Sequence, residues 1–320
     1  MNLIDEAVII EIFGIRMYAF GAYVALGALC AVFVLAFMSS YLGLKKGTAA
    51  LTALLSGICG MICSRSAFCL LNQELGMMTP FHIWPQITSG GWSMFGLIGG
   101  IFLGGWISSR IIHERTGKIL DVLCLAVLPL IAAERIGENR MDYFDISRTL
   151  DSSFLKGSIL SVGEDECYLA TYYVAAAVAV ILFITLLILF FRYETDGGLT
   201  ICFLLLFGAA SIITESLRYD FFLSISFVGL QQVCAALMLA LGVVLSIVKS
   251  NRPKSVLSVT AVASLPLMVG AVIGLEFALD RTMWNKILIY IGMIAVVAIP
   301  AVLGMMLLFR YSIKKGTRAA

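Results

Sequence analysis

Nine long apolar stretches recur along the 320-residue chain and constrain its fold more than any other feature. A membrane-spanning helix needs about 20 apolar residues, because lipid offers the backbone no hydrogen-bond partners and the helix must supply its own. The stretches are 17–37, 48–71, 92–112, 119–133, 169–191, 199–217, 225–248, 256–277 and 287–309. They predict an all-α, polytopic bundle of about nine transmembrane helices, in which the fourth span is short.

Composition supports this prediction. The chain is 61% hydrophobic and 13% charged, whereas roughly a quarter of the residues of an ordinary soluble domain are charged. Contact with lipid explains that deficit better than a large soluble core does. The net charge of +2 is too small to indicate a nucleic-acid partner.

Basic residues in alternate connections predict the orientation, since cytoplasmic loops carry an excess of Lys and Arg. These residues are Lys45, Lys46, Arg110, Arg115, Lys118, Arg192, Lys249, Arg252, Lys254, Arg310, Lys314, Lys315 and Arg318. We therefore expect the N-terminus outside and the C-terminus in the cytoplasm. The first 15 residues lack the basic start of a cleavable signal peptide, so the first span is expected to be retained.

The content of polar residues divides the chain into two predicted parts. Residues 1–250 form a membrane domain with a long, charged outer loop at 134–168, and loops of this length often carry function. Residues 251–320 contain two plain apolar spans and are predicted to form a C-terminal two-helix membrane extension.

The eight cysteines show no metal-binding spacing. Seven lie within apolar runs, and only Cys167 falls in a polar loop. Small apolar packing residues are the better interpretation. We expect no disulfide framework, no metal site and no cofactor.

Ionisable residues at membrane depth are costly and therefore indicate function. Several cluster at the predicted outer helix ends: Arg16, Arg65, Arg135, Glu215 and Arg218. Each could instead snorkel to the interface, and Glu134 with Arg135, or Glu215 with Arg218, could be structural ion pairs. Converging outer arginines would suit a phosphate, and a phospholipid head group is the natural phosphate there.

The segment 89–100 opens a helix from a glycine-rich turn containing Gly90, Gly91 and Ser93. Backbone N–H groups at a helix start can bind an anion. Glycines at this position are also common for close helix packing alone.

Six segments, in chain order, resemble the motifs of the prolipoprotein diacylglyceryl transferase family. Residues 16–23 (RMYAFGAY) are similar to the family's WYG…Y opening, and 64–72 (SRSAFCLLN) to its GRxGY…N segment. The others are similar to GGMSFHGGLIG, GRxGNFxNxE, VEFFRxPD and MGQ, in that order: 90–99 (GGWSMFGLIG), 134–137 (ERIG), 214–220 (TESLRYD) and 229–231 (GLQ). The likeness covers about residues 12–248 and includes seven spans; the last two have no counterpart.

The resemblance implies a bacterial cytoplasmic membrane enzyme that transfers a diacylglyceryl group from phosphatidylglycerol to the lipobox cysteine of prolipoproteins, with glycerol phosphate leaving. Its partners would be phosphatidylglycerol, other membrane lipids and the prolipoprotein signal peptide. Carried over by position, Arg65, Arg135 and Arg218 would form a phosphate-binding set. Glu215 would order the arginines, and Tyr18 would hydrogen-bond to the head group.

The chain departs from the family pattern at three motif positions, including the one that the resemblance implies for the base. Phe95 stands at the family histidine, Ser211 at a family arginine, and Glu138 at the first asparagine of the signature. Because Phe95 cannot accept a proton, the base for the thiol must lie elsewhere. Glu138 and His82 are the candidate bases.

Two other functions remain open. The chain could be a related lipid-head-group transferase with a different acceptor, or a non-catalytic lipid- or partner-binding homologue. A transporter is disfavoured, because the ionisable residues crowd one side and no paired interrupted helices occur in two matching halves.

Overall fold

A computed structural model describes residues 8–12, 15–71, 91–140, 157–162, 168–192, 196–218, 224–225 and 228–316. Its α-helices are α1 (Ala19–Tyr41), α2 (Thr48–Leu71), α3 (Met94–Ile112), α4 (Thr116–Gly137), α5 (Thr171–Arg192), α6 (Gly198–Ser216), α7 (Leu230–Ser250), α8 (Val256–Arg281) and α9 (Lys286–Gly316). A short 3-10 helix, Glu138–Arg140, follows α4.

Short antiparallel hairpins lead directly into three of these helices. They are β1 (Val8–Ile12) with β2 (Ile15–Tyr18), β3 (Ser161–Val162) with β4 (Tyr168–Leu169), and β5 (Ser224–Ile225) with β6 (Val228–Gly229). The apolar stretches at 17–37 and 225–248 therefore begin in strands, and their helices start later than the hydropathy alone predicts. Hydropathy cannot distinguish an apolar strand residue from an apolar helix residue.

The prediction of an all-α polytopic membrane protein is confirmed. Within the described ranges, eight helices are long and apolar enough to cross a membrane, and α4 is not among them. The prediction that the fourth span is short is wrong: α4 has 22 residues and is about 33 Å long at 1.5 Å per residue. Its ends carry Lys118, Glu134 and Arg135, which a hydropathy window excludes although the helix continues through them. The orientation of the termini stays a prediction.

Two compact units make up the fold: Met1–Ile188 with Leu217–Leu223, and Leu189–Ser216 with Ser224–Ala320. In the first unit α1 and α3 pack on α4, and α2 packs on α3. In the second unit α6 packs on α7, while α9 contacts α6, α7 and α8. The predicted boundary at residue 250 stays a prediction.

Helix α4 is the buried centre of the first unit. Every residue from Val122 to Leu128 is at most 3% exposed. By contrast, Leu29 and Phe33 on α1 are 69% and 72% exposed, as expected for residues that face lipid. Because α4 is central and surrounded by protein, its end can carry polar groups that do not face lipid.

Glycines spaced four residues apart bring α3 against α2. A Cβ on Gly96 would lie 2.7 Å from the Cys63 carbonyl oxygen, and one on Gly100 would collide with the Cys59 backbone. Gly104 repeats the pattern one turn later. This small-residue spacing lets two helix backbones approach closely in a membrane, where packing rather than hydrophobic burial drives association.

Replacing Gly100 by Ala is expected to destabilise the first unit, because the new methyl group meets α2 backbone that cannot move away cheaply. Overpacking of this kind costs about 1–3 kcal/mol. The matched control is Gly99→Ala, one residue along α3, where a Cβ would meet nothing within 4 Å. Equilibrium unfolding in one detergent measures both. Equal stability of the two variants would contradict the packing account.

Candidate functional site

The start of α3 is bonded to α2 at Ser64. The Ser64 hydroxyl donates to the Ser93 carbonyl oxygen at 2.8 Å, and the Ser93 N–H donates to the Ser64 carbonyl oxygen at 3.2 Å. The Ser93 side chain also caps α3 by accepting from the Gly96 N–H at 3.3 Å. Gly91 has φ +85°, and a Cβ there would overlap the Phe68 ring, so the turn requires glycine.

Arg65 lies beneath this turn and is 2% exposed. Its Nη1 donates to the Gly91 carbonyl oxygen at 2.8 Å. Its guanidinium carbon lies 5.6 Å from the Phe68 ring centroid and 5.9 Å from that of Trp92, within the range of cation–π attraction. Arg65 therefore fixes the turn, while its predicted contact with phosphate stays a prediction.

Arg135, Glu138 and Arg218 form a second polar group, the arginine–glutamate cluster. Glu138 Oε1 accepts from Arg135 Nη1 at 2.7 Å and from Arg218 Nη2 at 3.0 Å. The three side chains are 3%, 4% and 5% exposed. Arg135 Nη2 also lies 2.9 Å from Met94 Sδ in the first turn of α3. One carboxylate thus sets the positions of two guanidinium groups that are 83 residues apart in sequence.

The charge balance and geometry of the cluster suit an anion. The two guanidinium groups and the Glu138 carboxylate carry a net charge of +1 by themselves, and the Glu134 carboxylate lies beside them, 3.6 Å from Arg135 Nε. Each guanidinium carries five N–H donors in one plane. Planar guanidinium donors match the oxygens of a phosphate.

Asn139, directly after Glu138, connects the cluster to α5. The Tyr172 hydroxyl donates to Asn139 Oδ1 at 2.9 Å, and Asn139 Nδ2 donates to the Tyr173 hydroxyl at 3.2 Å. No sequence pattern predicts this contact, because the tyrosines lie more than 30 residues away and share no motif with Asn139.

A cavity of about 450 Å³ lies among α1, α2, α3 and α4. Its walls are almost entirely apolar, and polar groups of Ser64, Ser93 and Glu134 line it together with Trp92. Glu134 Oε2 lies 3.6 Å from Arg135 Nε, so one part of the cavity adjoins the arginine–glutamate cluster. The volume is typical of small-molecule sites, and an apolar wall suits an acyl chain.

The structure brings together only some of the residues that the sequence singled out. Tyr18 ends β2 and immediately precedes α1, half-buried. Phe95 is half-buried in the first turn of α3.

The other predicted residues lie in the second unit or outside the described residues. Glu215 is 8% exposed at the end of α6, in the second unit, and Ser211 lies buried one turn earlier. His82, Gly90 and the side chain of Arg16 lie outside the described residues.

In the second unit, α7 and α9 each donate one hydrogen bond to the last two turns of α6. Gln232 Nε2 donates to Glu276 Oε1 at 2.9 Å and to the Ile212 carbonyl oxygen at 3.2 Å. The Tyr290 hydroxyl donates to the Ser216 carbonyl oxygen at 3.3 Å. Sequence reasoning missed Glu276, although a single acid within an apolar span was the available signal; it is 1% exposed.

No group of three or more His, Cys, Asp or Glu side chains is arranged to hold a metal ion within the part of the chain that the structure describes.

A family model described as prolipoprotein diacylglyceryl transferase matches residues 7–248. A search of curated proteins found no match. The matched range ends within α7, so α8 and α9 lie beyond it.

Replacing Glu138 by Ala is expected to destabilise the first unit by about 3–5 kcal/mol, because two buried guanidinium groups would lose the carboxylate between them. The control is Glu114→Ala, which removes a partly exposed carboxylate whose Oε1 accepts from the Lys45 backbone N–H at 3.3 Å; its cost should be below about 1 kcal/mol. Equilibrium unfolding compares them, and a Glu138 variant as stable as the control would show that the cluster is not a stabilising unit.

Proposed function

The chain belongs to the prolipoprotein diacylglyceryl transferase family, since the family model covers residues 7–248 of 320, and we propose that it transfers a diacylglyceryl group from phosphatidylglycerol to the lipobox cysteine of prolipoproteins. The family consists of integral cytoplasmic-membrane transferases of lipoprotein biosynthesis. The prediction of family membership and of a multi-pass location in the bacterial cytoplasmic membrane is therefore confirmed.

The observation that carries the proposal is the position of the arginine–glutamate cluster beside the apolar cavity. A phospholipid donor needs two adjoining environments, one for its acyl chains and one for its phosphate. The cavity among α1–α4 has the apolar walls for a chain. Arg135, whose neighbour Glu134 lines that cavity, has the donors for a phosphate.

The reaction would use these environments in one displacement. The lipobox thiolate attacks the terminal glyceryl carbon of the donor, a C–S bond forms, and the C–O bond to phosphate breaks. The electron pair leaves with glycerol phosphate, whose growing negative charge Arg135 and Arg218 stabilise. Donors already in place at a developing charge lower a barrier most, because nothing has to reorganise during the reaction.

The remaining residues would support that step. Glu138 is assigned to positioning the two arginines, since its Oε1 accepts from both. Arg65, Gly91 and Ser93 hold the start of α3 in place beside the cavity. Tyr18 would hydrogen-bond to the head group, and Gly90 would contribute to the same helix start. Glu215, three residues before Arg218 in the chain, would help to order that arginine, and His82 stays a candidate base.

Purified protein reconstituted with phosphatidylglycerol and a lipobox peptide tests the proposal. We expect release of glycerol phosphate and a diacylglyceryl mass increase on the peptide cysteine. Arg135→Ala and Arg218→Ala should each lower the rate by about 100-fold or more, because each removes charge stabilisation at the leaving group. The matched control is Arg110→Ala, an exposed arginine in the last turn of α3, which should leave the rate unchanged.

Two outcomes would replace the proposal with the other functions that the sequence allows. Release of glycerol phosphate without modification of the peptide would indicate a head-group transferase with a different acceptor. Retained lipid binding without any release would indicate a non-catalytic lipid- or partner-binding member of the family.

A further inference from the structure

We infer that Glu134 is the base that takes the proton from the acceptor thiol, a role that rests on the proposed transfer to cysteine. A thiol is a poor nucleophile until it loses its proton. The enzyme therefore needs a proton acceptor that the thiol can reach in the space where the lipid lies. Phe95 has no group that can accept a proton, so the start of α3 does not supply one.

Glu134 lies in that space. It lines the apolar cavity together with Trp92 and Ser93. Among the described residues that line the cavity, it carries the only ionisable carboxylate or cationic side chain. A thiol that enters the cavity beside a donor lipid therefore meets a group that can accept its proton.

The hydrogen bonds of Glu134 also leave it available for proton transfer. Its Oε2 is buried and has no hydrogen-bond partner in the described part of the chain. Arg135 Nε lies 3.6 Å from this oxygen, beyond hydrogen-bond distance. Carboxylates in water-poor sites are common general bases, because burial brings their proton affinity closer to that required near neutral pH.

Glu138 is less suited to the same task. Its Oε1 already accepts from both Arg135 and Arg218, and it is not among the residues that line the cavity. The two neighbouring carboxylates thus have separate roles. Glu138 positions the arginines for the phosphate, and Glu134 serves the thiol.

The step balances as one proton transfer and one displacement. A carboxylate oxygen of Glu134 takes the thiol proton, and the thiolate sulfur forms a bond to the terminal glyceryl carbon. The C–O bond to phosphate breaks, and its electron pair leaves on glycerol phosphate beside Arg135. Glu134 then returns its proton to the departing phosphate, which restores the carboxylate for the next turnover.

The test compares Glu134→Gln with the unaltered protein on two lipobox peptides, one with cysteine and one with selenocysteine in its place. Gln keeps the shape of Glu but cannot take a proton. On the cysteine peptide near pH 7 we expect kcat to fall by about 100-fold or more, with the KM for phosphatidylglycerol nearly unchanged. A selenol is already ionised at this pH and needs no base, so the variant should act on that peptide within about threefold of the unaltered protein.

The pH dependence gives a second readout. The rate of Glu134→Gln on the cysteine peptide should rise about tenfold per pH unit from pH 7 towards the ordinary thiol pKa of about 8.5, because the thiol then ionises by itself. The control is Glu114→Gln at a partly exposed carboxylate beside Lys45, outside the cavity and the arginine–glutamate cluster; it should leave both rates unchanged.

The outcomes separate Glu134 from the proposed function as a whole. Equal rates of Glu134→Gln and the unaltered protein on cysteine would overturn its role as base. Equal impairment on both peptides would overturn it too, since a structural fault is not relieved by an ionised nucleophile. An unaltered protein that modifies neither peptide would overturn the proposed function itself.

Discussion

The contact of Glu138 with two guanidinium groups is the interaction on which the rest of the site depends. Arg135 lies in the last turn of the buried helix α4 and Arg218 follows α6, and Glu138 Oε1 accepts from their guanidinium groups at 2.7 and 3.0 Å. Two cations at this distance would repel one another without the carboxylate. Because Glu138 offsets one charge, the cluster keeps a net positive charge and a fixed geometry. Both are needed to bind a phosphate and to stabilise it as it leaves.

The membrane explains why this cluster can exist where it does. Lipid cannot solvate an arginine, so each charged side chain near it must be enclosed by protein and paired. Helix α4 meets that requirement because α1 and α3 pack around it. The glycines of α3 in turn allow α2 to approach closely, and the space left among these helices is an apolar cavity beside the cluster. The same packing of helices therefore encloses the charges and leaves room for a lipid chain.

Hydropathy predicted the helices well, because a membrane span is determined mainly by local composition. It failed at Lys118, Glu134 and Arg135, since a polar residue at a helix end lowers a hydropathy average without ending the helix. Arg135 and Arg218 were recognised as candidates from the cost of charges at membrane depth and from the family likeness. The position of Glu134 in the cavity, the contact of Asn139 with two tyrosines, and the pairing of Gln232 with Glu276 required the structure, because these contacts join residues whose meeting depends on how the helices pack.

The central claim is that the arginine–glutamate cluster binds the donor phosphate while the adjoining cavity holds an acyl chain. A structure determined in lipid nanodiscs with a non-hydrolysable phosphatidylglycerol analogue tests it directly. The account predicts a phosphate oxygen within about 3 Å of the guanidinium groups of Arg135 and Arg218, and one chain among α1–α4. Phosphate bound elsewhere, with the cavity occupied by protein side chains or left without lipid, would contradict it.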